Sequence, residues 1–208
     1  MKKNLLGILM LTLFITPCTF AGRDLPAAIT TPVKISDLND YEQSTPAVQG
    51  LITQAVKLSK LNLTYQYGSA DPKNKGMDCS GTIYYLLTTS AHLKLVPRSS
   101  DALFNWVEKN GKLHKTSSNS FSSDDFSHLK AGDLLFWSGT YMTHANISHV
   151  MLYLGKNKDG QRLMFGSSDG RTYQGKKMWG VSLFDFVLPN KNQQAKFVGY
   201  GCIPGMTC

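Results

Sequence analysis

Cys79 stands in the run Gly76-Met77-Asp78-Cys79-Ser80-Gly81. A loop-like stretch rich in Gly, Asn, Pro and Lys precedes it, and an apolar run from Thr82 to Leu87 follows. This pattern predicts a helix opening at Asp78 and running to about Ala91, with Ile83, Leu86 and Leu87 on its buried stripe. Cys79 then lies in the first helical turn. Unpaired N–H groups and a partial positive charge there favour thiolate over thiol, and the thiolate is the nucleophile. Asp78 is a good N-cap, and Gly81 leaves room for a close approach. The bland alternative for Cys79 is a small buried apolar residue.

A sulfur nucleophile needs a base that takes its proton and later returns it to a leaving amine. Of the five histidines, His92 lies far down the helix of Cys79. His114 and His128 fall in polar loop sequence, and His144 precedes a strand. His149 alone starts a well-formed apolar strand, His149 to Leu154, whose alternation puts His149, Met151 and Tyr153 on one face. A histidine at a strand start is otherwise usually structural. His144 and His149 are spaced for neither a helix face nor a strand face, so no metal site is expected. There is no phosphate loop, and no cofactor is called for.

The elements that must hold this pair can be followed along the chain. Lys2 and Lys3 precede an uncharged apolar stretch, Leu5 to Pro17, and Thr19-Phe20-Ala21 has the small-x-small form of a cleavage site. Residues 1–21 read as a secretory signal peptide, and a lipid-modified Cys18 is the rival reading. The protein is therefore expected outside the inner membrane, in the periplasm or at the cell wall. After cleavage three cysteines remain. Cys202 and Cys208 flank a short loop and could close on each other, which leaves Cys79 as the odd thiol where disulfides form.

Residues 22–44 lack a period and read as a linker or N-terminal arm; residues 45–208 read as one domain. Thr45 and Pro46 look like an N-cap and first helical residue, with Val48, Leu51, Ile52, Ala55, Val56 and Leu58 facing inward. Ser99 or Ser100 caps a further helix with Leu103, Phe104 and Val107 inward, and Gly111 stands where a C-terminal glycine would stop it. Residues 112–128 read as a Ser-rich loop. Short strands follow at Asp133–Trp137, His149–Leu154, Arg162–Phe165 and Phe197–Tyr200. Helices first and an antiparallel sheet after is the α+β pattern. The formal charge of +8 suits attraction to an anionic wall, or merely solubility. No lysine cluster resembles a nucleic-acid stripe, and no run after the signal is long enough to span a membrane.

Five pieces of the chain resemble the NlpC family of bacterial cell-wall cysteine peptidases, which have a papain-like fold. They are Tyr65-Gln66-Tyr67-Gly68, Gly76 to Gly81, Leu95-Val96-Pro97-Arg98-Ser99, Leu129 to Phe136 and Ser148 to Gly155, in family order. The resemblance implies Cys79 as nucleophile, His149 as general base and Tyr65 as an oxyanion donor beside the Cys79 N–H, with Tyr67 as fallback. It also implies that Asp78 and Ser80 grip the free amine of a substrate peptide, although a helix cap is an equal reading for Asp78. Members place a polar residue, often a second histidine, on the strand after the base histidine; alignment of Met164 to Ser168 puts Phe165 there. A backbone carbonyl, Ser167, Ser168 or Asp169 would then hold the imidazole, or the site is a Cys-His dyad. The implied activity is hydrolysis of a peptidoglycan stem amide, D-glutamyl to diamino acid, with peptidoglycan or a muropeptide as partner. The alternatives are an interbacterial amidase toxin with an immunity or inhibitor protein, a lapsed wall-binding module, and an acyl-transferring enzyme.

Overall fold

The computed structural model describes residues 33–208. The signal-peptide reading and the start of the arm, residues 22–32, lie outside the described residues. Val33 and Leu38 are buried in the core, and the Asp40 carboxylate accepts the Lys156 N–H at 3.0 Å. Packing thus begins well before Thr45, along the described part of the arm.

Helix α1, Pro46–Leu58, opens as the Thr-Pro pair predicts, with Thr45 Oγ1 accepting the Val48 N–H at 3.4 Å. All six expected inward residues are buried. The chain then forms β1 (Thr64–Tyr65), a 3-10 turn at Pro72–Asn74, and β2 (Gly76–Met77), which pairs with β1 in parallel. Helix α2 follows at Cys79–Tyr85 and passes into a π turn over Leu86–Ser90. Thr88 Oγ1 bonds back to the Tyr84 carbonyl at 2.8 Å, the kind of side-chain competition that loosens a helical ladder. Helix α3, Ser100–Asn110, is capped by Ser99. Gly111 follows it in an extended conformation, φ −128°, not the left-handed one that a C-terminal glycine usually supplies.

The stretch read as a Ser-rich loop contains β3 (Leu113–Lys115) and a 3-10 turn at Asp124–Phe126. Three residues without alternation carry no strand signal of their own; β3 exists because β10 pairs with it. The remaining strands are β4 (Leu134–Ser138), β5 (His149–Lys156), β6 (Arg162–Ser168), β7 (Thr172–Tyr173), β8 (Lys176–Lys177), β9 (Gly180–Asp185) and β10 (Lys196–Gly201). The main sheet runs β3-β10-β4-β5-β6-β9, antiparallel throughout, and β7 and β8 form a separate hairpin. The structure is therefore α+β, helices on a central antiparallel sheet, with the nucleophile candidate at a helix start.

Strand alternation divides the core into two faces. Leu134, Phe136, Val150, Leu152, Leu154, Leu163 and Phe165 join the helices on one side. Trp137, Met151, Tyr153, Met164, Phe184 and Tyr200 form a second cluster on the other, sealed by Phe126 and Phe186. A disulfide joins Cys202 and Cys208, and Cys79 is free.

Gly180 shows how tightly the sheet grips β1. Its φ is +79°, and an added Cβ would lie 2.1 Å from the Leu63 carbonyl oxygen, which itself accepts the Val181 N–H at 2.9 Å. Gly180→Ala must both strain the backbone and part these segments. We expect it to lower the unfolding free energy by roughly 2 kcal/mol or more, read by urea titration.

Candidate active site

Asp78, only 6% exposed, is the N-cap of α2, and both oxygens of its carboxylate are hydrogen-bonded. Oδ1 accepts the Gly81 N–H at 2.6 Å, the Ser80 hydroxyl at 3.3 Å and Arg98 Nη1 at 3.1 Å. Oδ2 accepts the Gly68 N–H at 2.8 Å and Arg98 Nη2 at 2.9 Å. The two-pronged arginine contact is the strong form of such a pair. Ser80 Oγ also accepts from Arg98 Nη1 at 2.9 Å. Asp78 and Ser80 thus stand together as expected, but around an arginine of the chain itself, and the cap reading of Asp78 is realised. An incoming ammonium would have to displace one of these donors. Gly81 is needed because a Cβ there would meet the Ser69 carbonyl oxygen at 2.1 Å. The close approach is by the chain's own backbone.

Cys79 occupies the first turn, where the backbone amides of Val150, Ser80 and Cys79 itself favour the thiolate. Val150 follows His149, so the start of α2 abuts the start of β5. Burial nevertheless pushes the thiol up to about 11, the Asp78 charge adds to that, and the backbone donors only partly offset it. The expectation of a resting thiolate is therefore corrected: desolvation outweighs the helix terminus.

His149 pairs with Trp137 across β4 and β5, their rings edge to face at 5.8 Å. Burial first, and the Arg171 charge second, hold its imidazole well below the ordinary range. The resting pair is neutral thiol and neutral imidazole. They are not hydrogen-bonded to each other; such contacts commonly tighten only when substrate arrives. Nε2 of His149 is buried and has no hydrogen-bond partner among the described residues.

Phe165 does not stand beside this ring. It pairs with Leu152, three residues further along β5, and lies in the helix-side core. The positions of β6 that alternate onto the face of His149 are Met164, Gly166 and Ser168. Alignment alone could not see this, because register is set by the sheet.

Tyr65 is half-buried on β1. Burial, then the Cys79 and Asp78 charges, raise its phenol far above the usual range, so it is a neutral O–H donor. Tyr67 is 76% exposed and meets Tyr141 edge to face at 6.4 Å. Thr140, next to Tyr141, bonds through N–H and hydroxyl to Ser148 Oγ at 3.0 and 2.7 Å, which pins this loop to β5. A cleft of about 280 Å³ holds Cys79, Asp78, Ser80 and Arg98, and a second of about 800 Å³ holds His149, Trp137 and Arg171. Tyr65, Tyr67 and Tyr141 line both.

Sequence reasoning gave no role to two residues here. Arg98 lies in the Leu95–Ser99 stretch that carries the resemblance, but the cap it meets is 20 positions earlier and only the fold joins them. Arg171 sits in an aperiodic Gly/Ser/Asp stretch with no signal. Among the described residues no cluster of three or more His, Cys, Asp or Glu could hold a metal ion.

Two outcomes follow. Alkylation of Cys79 by iodoacetamide should be slow at pH 7 and rise about tenfold per pH unit toward the thiol value, as the thiolate fraction grows, with Cys79→Ala as blank. A plateau between pH 4 and 8 would instead mark a thiolate–imidazolium pair. Arg98→Met leaves the Asp78 charge short of two donors. Since Arg98 is 36% exposed, solvent compensates in part, and we expect a stability loss of about 1–3 kcal/mol by chemical denaturation.

A family model described as NlpC/P60 family matches residues 62–179, a span that includes Tyr65, Cys79 and His149. A solved structure from Staphylococcus aureus subsp. aureus Mu50, described as similar to lipoprotein, NLP/P60 family, has a TM-score of 0.50 at 20% identity. The match covers 77% of this chain and 42% of that one. An NlpC/P60 endopeptidase from Photobacterium damselae subsp. piscicida aligns at TM-score 0.40 and 16% identity, over 69% of this chain and 36% of the other. The chain thus spans less than half the length of these two proteins, and the likeness to the first is one of fold. Among curated proteins none matches. With the family model covering more than half of its length, the chain belongs to the NlpC/P60 family, whose members are generally cysteine peptidases.

Proposed function

We propose that the protein is an exported cysteine endopeptidase that hydrolyses the amide joining D-glutamate to the diamino acid of peptidoglycan stem peptides. The observation that supports this reading is the free Cys79 at the start of α2, set where the Val150 amide, one residue from His149, acts on its sulfur. The substrate carbonyl enters between the two clefts. His149 takes the thiol proton as sulfur attacks carbon, and the Cys79 N–H and Tyr65 hydroxyl receive the charge that develops on oxygen. The imidazolium gives its proton to the departing amine. Water, deprotonated by His149, then cleaves the thioester, and the proton returns to sulfur.

A resting neutral pair suits this sequence of steps. The nucleophile is made only where a base and an oxyanion site are already in place. The lapsed-module alternative rests on the missing polar residue at Phe165; Phe165 pairs with Leu152 and His149 Nε2 has no partner among the described residues, so turnover decides between the two readings. The toxin alternative uses the same chemistry on another cell's wall and gains no separate support.

Purified peptidoglycan incubated with the protein should release fragments identifiable by mass. Cys79→Ala and His149→Ala should each lose roughly 10³-fold or more in rate. Tyr65→Phe, which keeps the ring and removes the donor, should lose about 10- to 10³-fold, mainly in kcat. Equal fragments from wild type and Cys79→Ala would end the proposal.

A further inference from the structure

The two arginines of the site differ in one respect. Arg98 is bound into the Asp78 carboxylate. Arg171 has no ion pair and no side-chain hydrogen bond among the described residues. Its guanidinium lies over the Trp137 ring, 4.4 Å from the centroid. Its backbone is fixed as well, since its carbonyl accepts the Met178 N–H at 2.8 Å. Burial lowers its value to about 10, the Cys79 charge and then that of Asp169 act the other way, and it remains a cation at neutral pH. A partly desolvated, preorganised cation with no ion pair among the described residues is suited to hold an anion.

The cleft also says on which side of the reaction the anion belongs. Arg171 shares it with His149, whereas Ser80 and Arg98 line the other cleft and the three tyrosines line both. His149 is the group that protonates the departing amine, so this cleft receives the leaving half of the substrate. A flat guanidinium stacked on indole presents its remaining N–H donors edgewise, which suits a carboxylate held by two bonds. Val187, Leu188 and Pro189 line the same cleft and suit the carbon chain of a leaving residue; Asp169 and Asp185 also line it, so the anion's place is at the Arg171 fork.

We infer that Arg171 is a carboxylate-binding residue on the leaving-group side, selecting substrates whose leaving portion carries a free carboxylate rather than an amide. This rests on the peptidase reading for its orientation. The binding site itself can be tested without turnover. Full-length Cys79→Ala is titrated calorimetrically with diaminopimelyl-D-alanine, either with free carboxylates or fully amidated. The free acid should bind at least several-fold tighter. Adding Arg171→Gln should weaken the acid by about 10- to 100-fold and leave the amide unchanged, the usual reach of a charge-assisted pair. Arg171→Lys, which keeps the charge and loses the fork, should fall between, and it carries the test if the Gln variant does not fold by its melting curve.

Equal binding of acid and amide, no binding of either, or an acid preference that survives at Arg171→Gln would overturn the inference. Turnover is read separately on the chain that retains Cys79. Cleavage without acid preference defeats the carboxylate site and leaves the peptidase reading standing. Acid-selective binding without cleavage of peptidoglycan does the reverse.

Discussion

A buried carboxylate is tolerable only where every lone pair is met, and Asp78 meets that condition with donors from three separate segments. Gly68 belongs to the loop after β1, Gly81 and Ser80 to α2, and Arg98 to the stretch before α3. One charge therefore fixes where the helix starts, how Tyr65 and Tyr67 approach it, and where the Cys79 side chain begins. Losing any one partner leaves charge uncompensated, which is why such a node has one arrangement and not several. The hydrophobic core brings α2 onto β5 and β6, but apolar packing alone tolerates small slides. The carboxylate does not.

The same charge works against the nucleophile. It lies beside Cys79 and, with burial, holds the proton on sulfur. The helix terminus and the Val150 amide pull the other way and lose. His149 is kept neutral from its own side. A dry site with both partners uncharged costs less to form than a buried ion pair. It leaves charge separation to the moment of attack, when the oxyanion donors supply their share.

Much of this was legible in the sequence because it is local. The caps at Thr45, Asp78 and Ser99 are set by residues within four positions of each helix start, and the inward residues of α1 and α3 follow from a 3.6-residue period. The pairing of Cys202 with Cys208 was visible as a short loop between two cysteines. What stayed hidden is non-local. β3 has no pattern of its own and depends on β10. The place of Phe165 depends on the register of β5 with β6, where one step exchanges the faces of the sheet. The thiol's titration depends on how deep the helix start is buried, which composition does not state. Arg171 depends on a ring 34 positions earlier meeting it from β4.

Arg171 also explains something the sheet would otherwise leave odd. The His149 face of β6 offers Met164, Gly166 and Ser168, and none of these binds the imidazole. After burial, what acts on that ring is the Arg171 cation, which opposes the imidazolium that the reaction must pass through. A cation so placed is a handicap only while it is unpaired. A carboxylate seated on Arg171 would cancel its field at His149 and make proton uptake from the thiol easier, so binding of an acidic leaving residue and arming of the base would be one event. In that arrangement the cleft does not need a third residue to raise the basicity of His149, because the substrate does so when it is the right one.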